Sequence, residues 1–429
     1  MKNKKQLLIS ITVTTLMLVA SISYLLLSDR DSYKYYTGLG SGLAISDDDQ
    51  RLAFSYYQDG REAIYIAESD GKNPKKVTHP TTEQHLDPEF SPDGSKLLYL
   101  SRNADKIQSL FIANQDGVNP KKLSNDELHV SEAIFSKDGS QIFFSGMPAK
   151  DFKDWESSTD VGFDLFSVNN DGKNLKQLTD DKRLSMESIA LSPDGKELLF
   201  KDYTDLYMYN IEKEEISFSE FTKMMPSEPF YLTLSPKRNV VAYTAVSKES
   251  TNSSLYEYEL FLKNLENGEN TRLTNLKKAV VSPVFFHSND KILFLEHTNW
   301  PNDPNHFKLM TVNLDSKEIS EIPLELPASN ASNIMMQAVD YTINSWTIGL
   351  LYTIILFLLT LYIQPKKVFL PSFISLAIAV LSIIASFIVA GMVDPWMGIG
   401  VGMMSVGIGL CTLASFLLAF GIKFYRKKA

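Results

Sequence analysis

Four groups of residues have types and spacings that could do chemistry. The stretch GLGSG, Gly38–Gly42, resembles the nucleophile turn of serine hydrolases. That turn needs its serine at the centre of G-x-S-x-G, with an oxyanion hole and a histidine. Here the centre is Gly40, Ser41 comes one place late, and no α/β domain follows. The histidines are His79, His85, His129, His287, His297 and His306, and none forms an H-x-x-x-H or H-E-x-x-H pair. His79 and His129 follow the ends of repeat units, while His297 and His306 flank a loop. Loop histidines without local partners are expected to be solvated. Asp47, Asp48 and Asp49 could offer carboxylates to Ca²⁺, but an EF-hand needs alternating oxygen ligands, a mid-loop Gly and a terminal Glu. The sequence DDDQRLAFS lacks these, and a polar turn is expected. GIGVGMMSVGIG, from Gly398, lies in an apolar segment without the strand–turn–helix setting of a dinucleotide loop. The spacings Gly398/Gly402 and Ser405/Gly409 suit close contact between membrane helices. These residues give no catalytic, cofactor-binding or metal site, so the expectation is a chain that is not an enzyme and holds no cofactor.

The elements that surround these residues divide sharply by polarity. A bilayer core of about 30 Å needs roughly 20 apolar residues in helix, and four stretches qualify: Leu7–Leu27, Ile343–Ile363, Val368–Met392 and Met397–Ile422. The first run is longer than a signal-peptide core of roughly 7–15 residues and continues past its small-residue cluster, so an uncleaved anchor is expected. No cysteine stands near it to carry a lipid. Lys2, Lys4 and Lys5 precede the first stretch, Lys366 and Lys367 separate the second and third, and Lys423, Arg426, Lys427 and Lys428 end the fourth. Basic flanks stay in the cytoplasm. The expectation is a multi-pass plasma-membrane protein with four spans, both termini cytoplasmic, and residues 29–340 outside. Trp346 and Trp396 fall at the outer ends of spans, where indoles anchor depth. No Asp, Glu, Lys, Arg or His lies within an apolar span, which argues against a self-sufficient transporter.

The outer segment carries 33 basic and 50 acidic residues, a formal charge of −17, which repels nucleic acid. The one cysteine, Cys411, is in the fourth apolar stretch, so this segment depends on its core without disulfides. It is also repetitive. LAISDDDQRLAFS, PEFSPDGSKLLYLS, EAIFSKDGSQIFFSG, SIALSPDGKELLFKD, YLTLSPKRNVVAYTA and SPVFFHSNDKILFLEH form one set, and AIYIAESDGKNPKKVT, SLFIANQDGVNPKKLS and DLFSVNNDGKNLKQLT open a second set that alternates with it. The position of Ser91 recurs at Ser46, Ser136, Ser192, Ser235 and Phe286. Asp-Gly turns joining short apolar runs predict two hairpins per unit. Four strands every 40–50 residues or so predict one propeller blade. The expected fold is an all-β six-bladed propeller (blades 43–78, 88–124, 132–179, 188–222, 231–274 and 282–324) between an N-terminal helical anchor, 1–28, and three membrane helices, 341–429. Ring closure is expected to rest on the first unit packing against the last.

The paired motifs SPDG(S/K)xLLY and DGxNxKxLT resemble the WD40-like repeat of TolB-type β-propellers, over about Leu43–Leu324. The resemblance implies an envelope propeller with a protein- or peptide-binding mouth. The chain lacks the small α/β domain that precedes the TolB propeller and adds four apolar stretches, so TolB's own partners do not carry over. Some propeller lyases similar to this family gather histidines around a channel metal, so sequence distance alone does not exclude such a site. Three functions follow as expectations. The first is a membrane-anchored interaction module or scaffold of the cell envelope. The second is a ligand sensor or regulatory subunit acting through a membrane partner, and the third an enzyme acting on envelope glycans or peptides. Tyr35, Tyr36, Tyr56 and Tyr57 are candidates for a contact surface.

Overall fold

The computed structural model describes residues 2–28, 31–155, 160–192, 194–203, 205–219, 225, 229–236, 240–329, 334–363 and 365–428. The chain divides into two units, Asp31–Asn330 and the combined ends Met1–Arg30 with Ala331–Ala429.

In the first unit, antiparallel strands come in fours. The first sheet holds β1 (Gly38–Ile45), β2 (Arg51–Gln58), β3 (Arg61–Glu68) and β4 (Lys75–Lys76). The second holds β5 (Gln84–Phe90), β6 (Lys96–Arg102), β7 (Gln108–Asn114) and β8 (Lys121–Lys122). The third holds β9 (Leu128–Phe135), β10 (Gln141–Pro148), β11 (Asp164–Asn169) and β12 (Lys176–Gln177). The fourth holds β13 (Glu187–Leu191), β14 (Glu197–Asp202), β15 (Asp205–Asn210) and β16 (Glu215–Phe218). Two further fours follow: β17 (Phe230–Leu234) to β20 (Asn270–Arg272), and β21 (Ala279–Phe285) to β24 (Ile319–Glu321). One parallel residue pair, Tyr258 with Ala279, joins them into an eight-stranded sheet.

Strand alternation explains why apolar runs fill both faces. Leu97 and Tyr99 of β6 pack toward the first sheet, and Leu98 and Leu100 toward the third. Likewise Ile142 and Phe144 face the second sheet, and Phe143 faces the fourth. Each gap between successive fours thus holds one apolar cluster. The last four strands and the first share such a cluster: Leu293, Leu295 and Leu309 meet Leu39, Leu52 and Phe54, and Ile322, Leu324 and Leu326 from the following segment pack on it. Full burial of a side chain of this size is worth about 1.5–3 kcal/mol, so these gaps carry the unit's stability. Tyr56 reinforces this gap by donating to the Pro327 carbonyl at 2.6 Å.

The other unit contains α1 (Lys2–Leu27), a short helix Ile334–Thr342, and three long helices, Ser345–Tyr362, Leu370–Met392 and Pro395–Lys428. Four helices are long and apolar enough to cross a membrane. Asn344 caps the second of them by accepting from the amides of Trp346 and Thr347. Hydroxyl pairs link the helices: Ser372 with Ser415 at 2.8 Å, Ser375 with Thr412 at 2.6 Å, and Tyr352 with Ser375 at 2.9 Å. In an apolar setting such pairs satisfy polar groups that would otherwise be stranded. Tyr24 near the end of α1 donates to Asp340 at 2.5 Å. Gly398 abuts Ala390, and Gly402 faces Ser386, as helix contact requires. Gly409 instead has open space beside it, so the expected Ser405/Gly409 contact is not made by that glycine.

Candidate functional site

The repeated residues build turns. Ser91 donates to the Asp93 carboxylate at 2.6 Å and accepts from the Lys96 amide at 2.9 Å, which holds SPDG closed. The same lock recurs at Ser46–Asp48, Ser136–Asp138 and Ser192–Asp194. The residue ending four of the units has an equally structural task. Thr78, Ser124, Thr179 and Thr274 accept from the amides of Ile64, Leu110, Leu165 and Leu260, which would otherwise lack a partner at the end of the short outer strand. In the fifth unit, the turn residues Lys237, Arg238 and Asn239 lie outside the described residues.

The candidate site lies on the opposite side of the same strands. The first strand of each four lines a channel of about 1370 Å³. Its pairing is interrupted in every case by a register shift, as between Leu86 and Glu89 or between Phe230 and Thr233. A bulge adds an unpaired residue and re-aims its side chain. Counting four residues back from the repeated serine position gives Gly42, Asp87, Glu132, Ser188, Tyr231 and Ser282, all on the channel wall. Asp87, Ser188, Tyr231 and Ser282 adopt φ of 50°, 55°, 48° and 52°. Non-glycine residues seldom take this left-handed conformation, and such strain is concentrated at functional sites.

Some bulge side chains tie one sheet to the next. The Glu132 carboxylate accepts from the Ile189 amide at 3.1 Å, and the Ser188 hydroxyl from the Leu232 amide at 3.2 Å. Others face the channel's interior. Asp47, Asp87, Glu89, Glu132 and Glu187 bring carboxylates to the wall, against Lys137, Lys201 and His287. Enclosure by protein disfavours charge here. It raises Asp87 above the usual carboxylate range, although Asp87 is exposed toward the channel, and it lifts Glu89 to about 7 and Glu132 to about 8. Lys201 is buried beside Glu187, 3.5 Å away, with its ammonium 5.2 Å from the Phe230 ring centre. Phe230, Tyr231 and Tyr203 complete an aromatic flank.

Behind the wall, between the first two sheets, Glu62 is buried and lifted to about 7 by desolvation, opposed by Arg102 at 3.4 Å. Arg102 also reaches the Tyr57 hydroxyl at 3.4 Å. GLGSG makes room for this group: a Cβ on Gly40 would stand 2.3 Å from a Glu62 oxygen and 2.2 Å from the Ser55 hydroxyl. The motif is a bulged strand with close packing.

The histidines depart from expectation. His85, His129 and His297 are buried on strands: the His129 ring stacks on Phe152, and the His85 and His297 rings pack at a tilt against Tyr99 and Phe307. Burial pushes His85 and His129 down to about 4 and lowers His297, so all three are neutral near pH 7. His79 is exposed, His306 stacks on Tyr36, and His287 is the histidine on the channel wall. No group of three or more His, Cys, Asp or Glu side chains with metal-holding geometry occurs among the described residues. Tyr56 and Tyr57 are buried in the first sheet, as ordinary strand residues.

No known family matches this sequence, and no curated protein matches it. Solved structures do resemble its fold. TolB from Acinetobacter baumannii is 19% identical over 66% of this chain and 66% of that one, with a TM-score of 0.51. An oligogalacturonate lyase in complex with manganese is 12% identical over 66% of this chain and 77% of that chain, with a TM-score of 0.46. The oligogalacturonate lyase from Vibrio parahaemolyticus gives 12%, 66% and 78%, with a TM-score of 0.45. The fold is therefore a β-propeller accompanied by four long apolar helices. Its fold resembles that of TolB, and the chain spans just under two thirds of that TolB structure.

The expectation that the chain is not an enzyme does not stand, since enzymes occur among the solved structures that resemble it. It rested on missing motifs. A channel site draws single residues from sheets far apart in sequence, so a search for local motifs cannot see it.

Proposed function

We propose that the chain is a membrane-anchored, six-bladed propeller on the extracytoplasmic side, whose channel receives a segment of a protein or peptide partner. Six apolar clusters, with the last four strands packed on the first, support ring closure. The distribution of Lys and Arg around the apolar stretches supports cytoplasmic termini. The Tyr24–Asp340 hydrogen bond supports retention of the first helix as an anchor. The observation that carries the interaction reading is the channel itself. It encloses about 1370 Å³, with strained bulge residues and aromatic side chains on its wall.

A photo-crosslinking residue in place of Tyr231 tests this in living cells. A protein adduct at Tyr231, absent when the same residue replaces exposed Lys173, is the expected result. Adducts with water or lipid only, through several growth conditions, would overturn it.

A second reading, an enzyme acting on envelope glycans or peptides, is favoured by one observation. Glu89 and Glu132 stand on the channel wall, where burial lifts their carboxyls to about 7 and about 8, the range in which a general acid works. Turnover of acidic oligosaccharides or peptides by the purified full chain, lost in Glu89→Gln, would establish it.

A further inference from the structure

The first and last sheets meet through three titratable side chains, Asp47, Asp49 and His287, beside the channel. The Asp49 carboxylate accepts from two backbone amides of the last sheet's first turn, His287 and Ser288, each at 2.7 Å. Asp47 lies 3.0 Å from His287 Nε2, and Asp49 lies 3.6 Å from Nδ1. Glu89, on the inner strand of the second sheet, faces the same histidine across the wall. Asp290 in the same turn is held by the Ser288 hydroxyl at 2.5 Å. The three consecutive aspartates therefore divide their work. Asp48 closes its own turn through Ser46, while Asp47 and Asp49 reach across to the other end of the chain's sheets.

We propose that this seam is a proton-operated latch: with His287 protonated the first and last sheets are clamped at the channel wall, and with His287 neutral the clamp loosens. The charge balance gives the direction. Below neutrality, one imidazolium sits among Asp47, Asp49 and a protonated Glu89. Above it, a neutral imidazole leaves three carboxylates facing one another, which repel in a partly enclosed site.

Titration moves both groups the same way. His287 is raised above 6.5, first by its hydrogen bond to Asp47. Its contribution is complete below 6.5 and is lost as pH rises through the raised folded value. Glu89, lifted to about 7 by burial, contributes up to 4.5, the value of the unfolded carboxyl, and its contribution also falls as it ionises. The seam is tightest in mild acid and weakest in mild alkali. Since Asp47, Glu89 and His287 all line the channel, the wall becomes more negative as the seam loosens. The inference does not depend on what the channel holds.

Hydrogen exchange of the full chain in lipid nanodiscs, corrected for intrinsic rates, reads the seam directly. Protection of the His287 and Ser288 amides is expected to fall by about tenfold or more between about pH 6 and about pH 8.5. The third sheet's strand Leu128–Phe135 should show no such change. His287→Gln should flatten the profile, and Asp47→Asn should shift its midpoint to lower pH. A pH-independent seam, or an unchanged profile in either variant, would overturn the latch. If His287→Gln fails to fold, the Asp47→Asn midpoint decides.

Discussion

The turns and the bulges of the same inner strands obey different rules. At the turn end, the Ser–Asp lock recurs in the first four units, because a serine hydroxyl and an exposed carboxylate must satisfy the same turn amides each time. Four residues earlier, the series Gly42, Asp87, Glu132, Ser188, Tyr231, Ser282 has no common chemistry. Repetition marks what each sheet needs in order to fold. Variation at one structural position marks what the channel needs in order to recognise something.

This contrast can be broken by substitution, with apolar clusters as the outer bound. Phe54→Ala, in the cluster joining first and last sheets, should cost about 3–5 kcal/mol of stability, read as a large fall in the thermal midpoint of the first unit. Ser91→Ala should cost less, about 1–2 kcal/mol, by leaving the Lys96 amide and Asp93 without their shared partner. Capture of a partner at Tyr231 should survive it. Asp87→Asn should do the reverse, with a small rise in thermal midpoint at pH 8 and weaker capture. The sign follows from its raised carboxyl: ionisation costs stability as pH rises from 3.8 toward the folded value, and asparagine removes that cost. If Asp87→Asn and Ser91→Ala moved stability in the same direction, the division between turn and bulge would fail.

Much of the fold was legible because turns speak locally. SPDG and Asp-Gly fix hairpins within a few residues, and the apolar runs of Lys96–Arg102 or Gln141–Pro148 announce strands buried on both faces. The bulges were less so. A φ near 50° at Ser188 or Tyr231 leaves no mark on residue type, and the aligned repeats begin beside the bulges, where similarity fades. The signal available was positional, four places before each repeated serine. The burial of His129 and His297 was not legible, because nothing local shows that Phe152 or Phe307 will cover them. The role of Asp47 and Asp49 depends on His287, more than two hundred residues away. The single-sequence reading of a polar turn was right for Asp48 and missed its neighbours.

The ring is the claim on which both turn and bulge depend, and its closing seam can be measured. With Cys411→Ser as background, Asp49→Cys and Ser288→Cys place thiols on two residues now joined by a hydrogen bond from the Ser288 amide to the Asp49 carboxylate. A short bifunctional maleimide should link them within one molecule, give a compact band on a denaturing gel, and raise thermal stability above that of the unlinked double variant. Links only between molecules, or none while both thiols still react singly, would show that the first and last sheets do not meet.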